Sequence, residues 1–154
     1  MPSWRFRHGE WRVGGYLYRV QDQMGVNSQV GPDAHALLWD FDNIALDQVV
    51  ASLVSVLRFY DLPQIRVVAG SAPGRYHAYC LARKTWIETV RILAATEGIC
   101  WRFFRFGVAR GKFTLRVTGK NNQFPRTLIR IPSAKSETVM LDELSSFVRY
   151  ESWH

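Results

Sequence analysis

The chain has 154 residues, 47% of them hydrophobic and 21% charged, a composition that fits one globular domain and excludes an intrinsically disordered protein. Its 20 Lys and Arg residues outnumber its 13 Asp and Glu residues and leave a formal net charge of +7, which favours a polyanionic partner such as nucleic acid. No apolar run approaches the roughly 18 residues of a membrane span. Two cysteines outside any CxxC pair exclude a disulfide framework and a zinc motif, so we expect an intracellular, cytoplasmic protein with no membrane partner.

The N-terminal part of the chain leads to a strand that ends in two carboxylates. Residues 11–20 predict two short strands in an edge hairpin around a Gly-Gly pair, and the polar residues 21–32 predict a loop. A strand is predicted over His35–Phe41, with Asp40 and Asp42 at its end on one face, about 6.5 Å apart between Cα atoms. Like charges this close repel unless a cation lies between them, and oxygen ligands suit Mg²⁺ or Mn²⁺. The alternative is an ordinary strand end that turns into a loop.

Helical and strand periods alternate in the next part of the chain. Apolar spacing predicts an amphipathic helix over 46–60 and another over 84–96. Between them, two apolar runs over 65–69 and 76–81 predict strands that form a hairpin.

The C-terminal part predicts a second hairpin, from strands over 100–108 and 112–117, then a strand over 127–131 and a helix from about 137 to 148. The order β-α-β-β-α-β-β predicts an α+β fold with a split β-α-β (RRM-like) core, a mostly antiparallel sheet with helices packed on one face. We expect a single domain in three parts: N-terminal strands and loop over 1–34, core over 35–131 and C-terminal helix over 132–154.

The turn of the first hairpin carries residues that could bind an anion. In Ser71-Ala-Pro-Gly-Arg-Tyr-His77, Pro73 and Gly74 permit a tight turn whose backbone N–H groups can line a phosphate site. Ser71, Arg75 and His77 could add side-chain contacts to that phosphate. The alternative is that His77 is a partly buried strand residue with a satisfied hydrogen bond.

A row of hydrogen-bond donors follows later in the chain. Lys112, Thr114 and Arg116 share one face of a predicted strand, with Arg110 before it and Lys120 in the loop after it. Such a row suits a triphosphate or a nucleic-acid backbone. On charge alone, a strand face in contact with solvent is the better explanation.

Three motifs together resemble the archaeo-eukaryotic primase, or primase-polymerase, superfamily. They are a strand ending in Asp-x-Asp, a Ser-x-Pro-Gly-x-x-His turn into a strand, and a late Leu-Arg-x-x-Gly-Lys-Asn, and they cover about residues 36–122. The resemblance implies a DNA primase or polymerase of replication that performs metal-dependent nucleotidyl transfer on a single-stranded template. It also implies a nucleoside triphosphate, single-stranded DNA or RNA, and a helicase or another replication protein as partners.

The resemblance assigns roles to individual residues. Asp40 and Asp42 match the pair that binds catalytic Mg²⁺ or Mn²⁺, and His77 is implied as a catalytic-site residue that holds the nucleotide phosphates. The resemblance implies nucleotide binding by Ser71, with Arg75 on the same turn, and by the late basic residues. The full expected set is Ser71, Arg75, His77, Arg116 and Lys120 for nucleotide, and Arg110 and Lys112 for nucleic acid.

One departure from the family pattern leaves two alternatives open. Where the family carries a third acidic ligand, this chain has Cys100, and Glu97 is the only carboxylate near it. A catalytically degenerate primase-like protein that only binds nucleic acid is therefore an alternative. A metal-dependent nuclease of the NYN/PIN kind is a weaker one, since Leu38-Trp-Asp-Phe-Asp-Asn43 also resembles the start of those domains, but the middle of the chain reads as hairpins.

Overall fold

The computed structural model describes residues 3–8, 11–16, 20–117 and 126–152, with side chains described for residues 24–117 and 126–145. The strands are β1 (Ser3–His8), β2 (Trp11–Tyr16), β3 (Val20–Asn27), β4 (Gln29–Gly31), β5 (Ala34–Asp42), β6 (Ile65–Ala69), β7 (Arg75–Lys84), β8 (Thr114–Arg116), β9 (Thr127–Ile131) and β10 (Ser146–Ser152). The helices are α1 (Leu46–Phe59), α2 (Trp86–Ala94), α3 (Trp101–Arg110) and a short 3-10 helix (Leu141–Glu143). None of the helices in these ranges is long and apolar enough to cross a membrane.

The main sheet has five strands in the order β4-β5-β7-β6-β9, and every described pairing in it is antiparallel. Strands β5 and β6, which α1 connects, therefore run parallel to each other with β7 between them. This is the split β-α-β arrangement, and the α+β class and mostly antiparallel sheet are confirmed. The predicted helices over 46–60 and 84–96, and the predicted strands over 65–69, 76–81 and 127–131, are confirmed with small changes at their ends.

A second sheet has the order β10-β3-β8, so the strand after the helices does not join the main sheet. Ser28, fully buried, links the two sheets at the end of β3. Its backbone N–H donates to Phe113 O at 2.8 Å, and its carbonyl accepts from Ala36 N at 2.7 Å. Its hydroxyl accepts from Phe113 N at 3.0 Å and lies 3.1 Å from His35 Nδ1. These bonds satisfy the polar groups of a buried junction.

The core of the main sheet lies on both sides of β5. Leu37, Leu38, Trp39 and Phe41 are each at most 1% exposed. Trp39 points away from the face that carries Asp40, and its Nε1–H donates to Thr96 Oγ1 at 2.9 Å, just after α2. The side of β5 that faces the end of α2 is therefore closed by packing, and the two aspartates lie on the other side.

The hairpin predicted over 100–117 is wrong in its first strand, because residues 101–110 form helix α3. Phe103, Phe104 and Gly107 have helical spacing and face the buried Phe113 ring, with the Phe103 and Phe113 ring centroids 5.3 Å apart. Gly111, read as part of a hairpin turn, instead ends the helix with φ 69°, a left-handed conformation that glycine adopts without strain.

The predicted C-terminal helix over 137–148 is also wrong. A 3-10 helix covers only Leu141–Glu143, and β10 pairs with β3, Phe147 opposite Gly25. Val139 is instead buried in a small cluster with Ala36 and Leu81. Pairing with a distant strand thus overrides the local helical spacing.

Two N-terminal expectations need correction. Residues 21–32, predicted as a loop, contain β3 and β4, and β3 is the central strand of the second sheet. Two neighbouring strands bond to the β3 backbone, so its polar side chains do not prevent strand formation. The hairpin expected within residues 11–20 instead pairs β1 with β2, and Gly14 lies inside β2 opposite Arg5. The division of the domain into three parts stays a prediction.

Candidate functional site

Asp40, Asp42 and Cys100 form a cluster at the C-terminal end of β5. One possible ligand atom from each, two carboxylate oxygens and the Cys100 Sγ, lie within 4.8 Å of one another. The strand period places both aspartates on one face, as predicted. Cys100 joins them because its backbone N–H donates to Asp40 O at 2.7 Å, which fixes the start of α3 against the strand end. Such a group of donors has the size of a site for one divalent ion.

A histidine and an arginine lie opposite the aspartates on the neighbouring strand, since β7 pairs Asp40 with His77 and Asp42 with Arg75. His77 Nε2 lies 3.2 Å from Asp40 Oδ1, with the side chains 18% and 22% exposed. Arg75 Nε lies 3.1 Å from Asp42 Oδ1, but the Arg75 side chain is 50% exposed. A pair as exposed as Arg75–Asp42 contributes about 1 kcal/mol or less. A ligand could therefore displace Arg75 from Asp42 at little cost.

The Cys100 thiol is coupled to the same carboxylates. Its Sγ–H donates to Asp42 Oδ2 at 3.3 Å. Burial, followed by the hydrogen bond to Asp42 and the charge of Asp40, raises the pKa of Cys100 above its ordinary value, against the lowering effect of hydrogen bonds from the α3 backbone. The thiol is therefore protonated at neutral pH in this state, and a bound metal ion would have to displace that proton.

An open cleft of about 400 Å³ borders Asp40 on one side of the cluster. One wall is α3, through Phe103, Phe106, Gly107 and Arg110, and the other residues are Lys112 and Thr114. A Cβ added to Gly107 would lie 2.1 Å from the Phe113 ring, so only glycine allows α3 to approach this closely. The structure thus brings both predicted nucleic-acid residues, Arg110 and Lys112, to the cleft that borders Asp40.

A second cavity, of about 260 Å³, lies between the two sheets next to His77. Its lining is mostly apolar, including Leu38, Leu115 and Leu144, and Arg116 also contributes to it. Arg116, predicted to bind nucleotide, is thus placed near His77 and outside the cleft that contains Asp40.

The turn between β6 and β7 forms as predicted. Gly70 N donates to Arg75 O at 2.8 Å, and Gly74 has φ 75°. Ser71 is exposed on this turn, and no hydrogen bond or ion pair among the described residues joins it to the cluster. The predicted nucleotide residue Lys120 lies outside the described residues.

The sequence shows the mixture of arginine and aromatic residues over 101–106, which provides phosphate contacts and stacking faces for unpaired bases. The strand predicted over 100–108 would place Phe103 and Phe106 on opposite faces of a sheet, so it does not predict that both join Gly107 in one wall of the cleft. The Cys100 contribution could be found only by matching the family pattern, since a single cysteine carries no metal motif of its own.

Comparisons with protein families, curated proteins and solved structures returned no significant match to this chain.

Proposed function

We propose that the protein is a metal-dependent nucleotidyltransferase of the primase-polymerase type, which extends a strand on a single-stranded template during DNA replication. The observation that carries the proposal is the cluster of Asp40, Asp42 and Cys100 beside a cleft lined by Arg110 and Lys112. Acidic ligands next to cationic side chains match the charges of a divalent ion bound to a triphosphate.

The donor set favours Mn²⁺ over Mg²⁺. Mg²⁺ requires hard oxygen ligands, whereas Mn²⁺ accepts a softer donor more readily. The protein would supply two oxygen ligands from the carboxylates and one sulfur ligand from the thiol. Water and phosphate oxygens would complete the coordination of the ion. The cysteine at the third position therefore supports a manganese-dependent activity.

The reaction is a phosphoryl transfer in which a terminal 3′-oxygen bonds to the α-phosphorus, the bond to pyrophosphate breaks, and the hydroxyl proton passes to water. A bound divalent ion would offset the phosphate charge and favour the attacking oxyanion. Arg75 and His77 would contact the triphosphate, because both already lie beside carboxylates on that face. Lys112 and Arg110 would hold the phosphates of the strand that enters the cleft.

The resemblance extends the proposal to partners: nucleoside triphosphate as substrate, single-stranded DNA or RNA as template, and a helicase or other replication protein. We also propose a cytoplasmic location, which the two cysteines outside any disulfide framework favour.

A degenerate primase-like protein that binds nucleotide or nucleic acid without catalysis is the second candidate. One observation favours it: the third position is Cys100, whose thiol donates a hydrogen bond to Asp42. With only two carboxylates, the site holds less charge for two metal ions. The nuclease reading has less support, because the described pairings of the main sheet are antiparallel and give no row of parallel strand ends for further carboxylates.

Primer extension on a single-stranded template, with Mn²⁺ or Mg²⁺ and nucleoside triphosphates, tests the proposal. We expect extension with Mn²⁺ that is lost in Asp40→Ala and kept in Asp142→Ala, where an exposed aspartate outside the cluster is removed. Binding of Mn²⁺ and nucleotide without extension would identify the degenerate binder. Extension by Asp40→Ala at the parent rate would show that the metal site is misassigned.

A further inference from the structure

Helix α3 presents cations and aromatic rings to solvent instead of a purely polar face. Its three arginines are exposed, it contains no acidic residue, and none of the three pairs with a carboxylate among the described residues. Phe106 is 58% exposed, and the Arg110 guanidinium lies over its ring, 5.7 Å from the centroid. These residues together with Lys112 are called the α3 surface: Arg102, Arg105, Phe106, Arg110 and Lys112.

The order of side chains along the α3 surface is a cation, a ring and a cation. Arg102, Phe106 and Arg110 follow one another at intervals of four residues, so they lie in one row along the helix. The row ends at the cleft, since Phe106, Arg110 and Lys112 line it together with Asp40. A ligand that follows the row therefore reaches the cluster of Asp40, Asp42 and Cys100.

We propose that the α3 surface binds single-stranded nucleic acid, with one unpaired base stacked on Phe106 and the flanking phosphates on the arginines and Lys112. Single-strand binding grooves combine these same two parts, a cationic track for phosphates and exposed rings for bases. The inference rests on the proposed function, because it places the template strand of that reaction at the cleft.

The arrangement fits nucleic acid better than a lipid surface. A membrane-binding helix separates an apolar face from a charged one. In α3 the apolar face, with Phe103, Phe104 and Gly107, already packs on Phe113. The exposed Phe106 instead lies among arginines, which would hold a ring next to phosphates and outside the hydrocarbon of a bilayer.

Fluorescence anisotropy with a labelled oligothymidylate of about 20 nucleotides tests the inference on the full protein, in EDTA so that metal binding plays no part. We expect Phe106→Ala to weaken binding about tenfold, the effect of losing one stacked base. Phe106→Tyr should bind like the parent. Phe59→Ala is the matched control, because Phe59 is an 81% exposed phenylalanine on α1, away from the cleft.

The salt dependence tests the phosphate contacts. Over roughly 50 to 200 mM salt, Arg102→Gln and Arg110→Gln should each reduce the slope of log K against log salt by about 0.7, the value for one lost contact to a single strand. Arg58→Gln, at an exposed arginine on α1, should leave the slope unchanged.

Three outcomes would overturn the inference: equal affinity of Phe106→Ala and Phe59→Ala, binding of duplex as tightly as single strand, or displacement of the oligonucleotide by anionic vesicles. Failure of the proposed function looks different. If the parent binds the strand through Phe106 but never transfers a nucleotide, the binding role of the α3 surface stands and the proposed function fails. If Phe106→Ala leaves nucleotide transfer unaffected, the proposed function stands and the binding role of the α3 surface fails.

Discussion

Each end of strand β5 lies in a polar group that contains a histidine, and the two groups differ in burial and charge. Near its start, His35 is 3% exposed, contacts the Ser28 hydroxyl and lies 5.0 Å from the Trp86 ring between centroids. Near its end, His77 on β7 contacts Asp40 and is 18% exposed. One strand thus carries a closed neutral group and an open charged one.

The difference shows how burial separates structure from function in polar groups. The Ser28 hydroxyl accepts from Phe113 N–H and contacts His35, and because Ser28 is fully buried it has no room for a ligand. Among the described residues, the Asp40 carboxylate has one side-chain ion-pair partner, His77, and it borders a cleft. We therefore expect changes in the first group to alter folding stability, and changes in the second to alter ligand binding.

The largest expected effect is at the open end. Asp42→Ala should weaken Mn²⁺-dependent nucleotide binding by about 100-fold or more, because a ligand of the ion is removed. The free energy of unfolding should change by less than about 1 kcal/mol, since Asp42 is partly exposed and its pair with Arg75 is open to solvent. Calorimetric titration and urea denaturation measure the two quantities. Binding equal to that of the parent would contradict the assignment.

The closed end should show the reverse pattern. Ser28→Ala removes the acceptor of Phe113 N–H and leaves a buried donor unsatisfied, which should cost about 1 to 3 kcal/mol of stability. Mn²⁺ affinity of the folded protein should stay the same. Ser55→Ala, at an exposed serine on α1, is the control and should change stability by less than about 0.5 kcal/mol. A stable Ser28→Ala variant with weakened metal binding would remove the contrast between the two ends.

Cys100 should determine the choice of metal. Cys100→Asp supplies a hard third ligand, and we expect the ratio of Mg²⁺ to Mn²⁺ affinity to rise about tenfold. In the parent, Cd²⁺ should give an ultraviolet charge-transfer band from the thiolate, and Cys100→Ser should lack it. If the parent and Cys100→Ser give the same spectrum, the thiol is not a ligand.

The smallest effect is a pH dependence at the closed end. Burial lowers the pKa of His35 below its ordinary value of 6.5, with a smaller opposing effect from Asp33. Below pH 6.5 His35 binds a proton in the unfolded chain more readily than in the folded protein. The free energy of unfolding should therefore fall as the pH decreases through 6.5. His35→Gln should lack this part of the decline, measured by urea denaturation at several pH values. An equal decline in both proteins would show that His35 is not its source.

Local signals were sufficient where one segment carried all of its own information. Helix α2 begins at Thr85, whose hydroxyl accepts from Glu88 N–H, while the Glu88 carboxylate accepts from Thr85 N–H at 2.9 Å. Such a capping box can be recognised from the amino-acid sequence alone. The position of Asp40 and Asp42 on the same face of β5 also follows directly from the strand period.

Local signals failed where both the strand period and the helical period fit the same segment. Trp101-Arg-Phe-Phe-Arg-Phe106 alternates like a strand and also repeats like a helix, and the Phe113 ring from outside the segment decides between the two. The same holds for β10, which exists because β3 offers it a partner. Pairing of this kind depends on residues far away in the chain.

The sequence by itself determined the α+β class, the β-α-β-β order of the core and the two aspartates at the end of β5, because these depend on periods within short segments. Only the tertiary structure decided that Cys100 joins the aspartates, that His77 and Arg75 face them, and that Phe106 and Arg110 form a wall of the cleft. Those positions depend on strand register and on how closely α3 packs against Phe113. Register and packing are contacts between distant residues, and no local pattern encodes them.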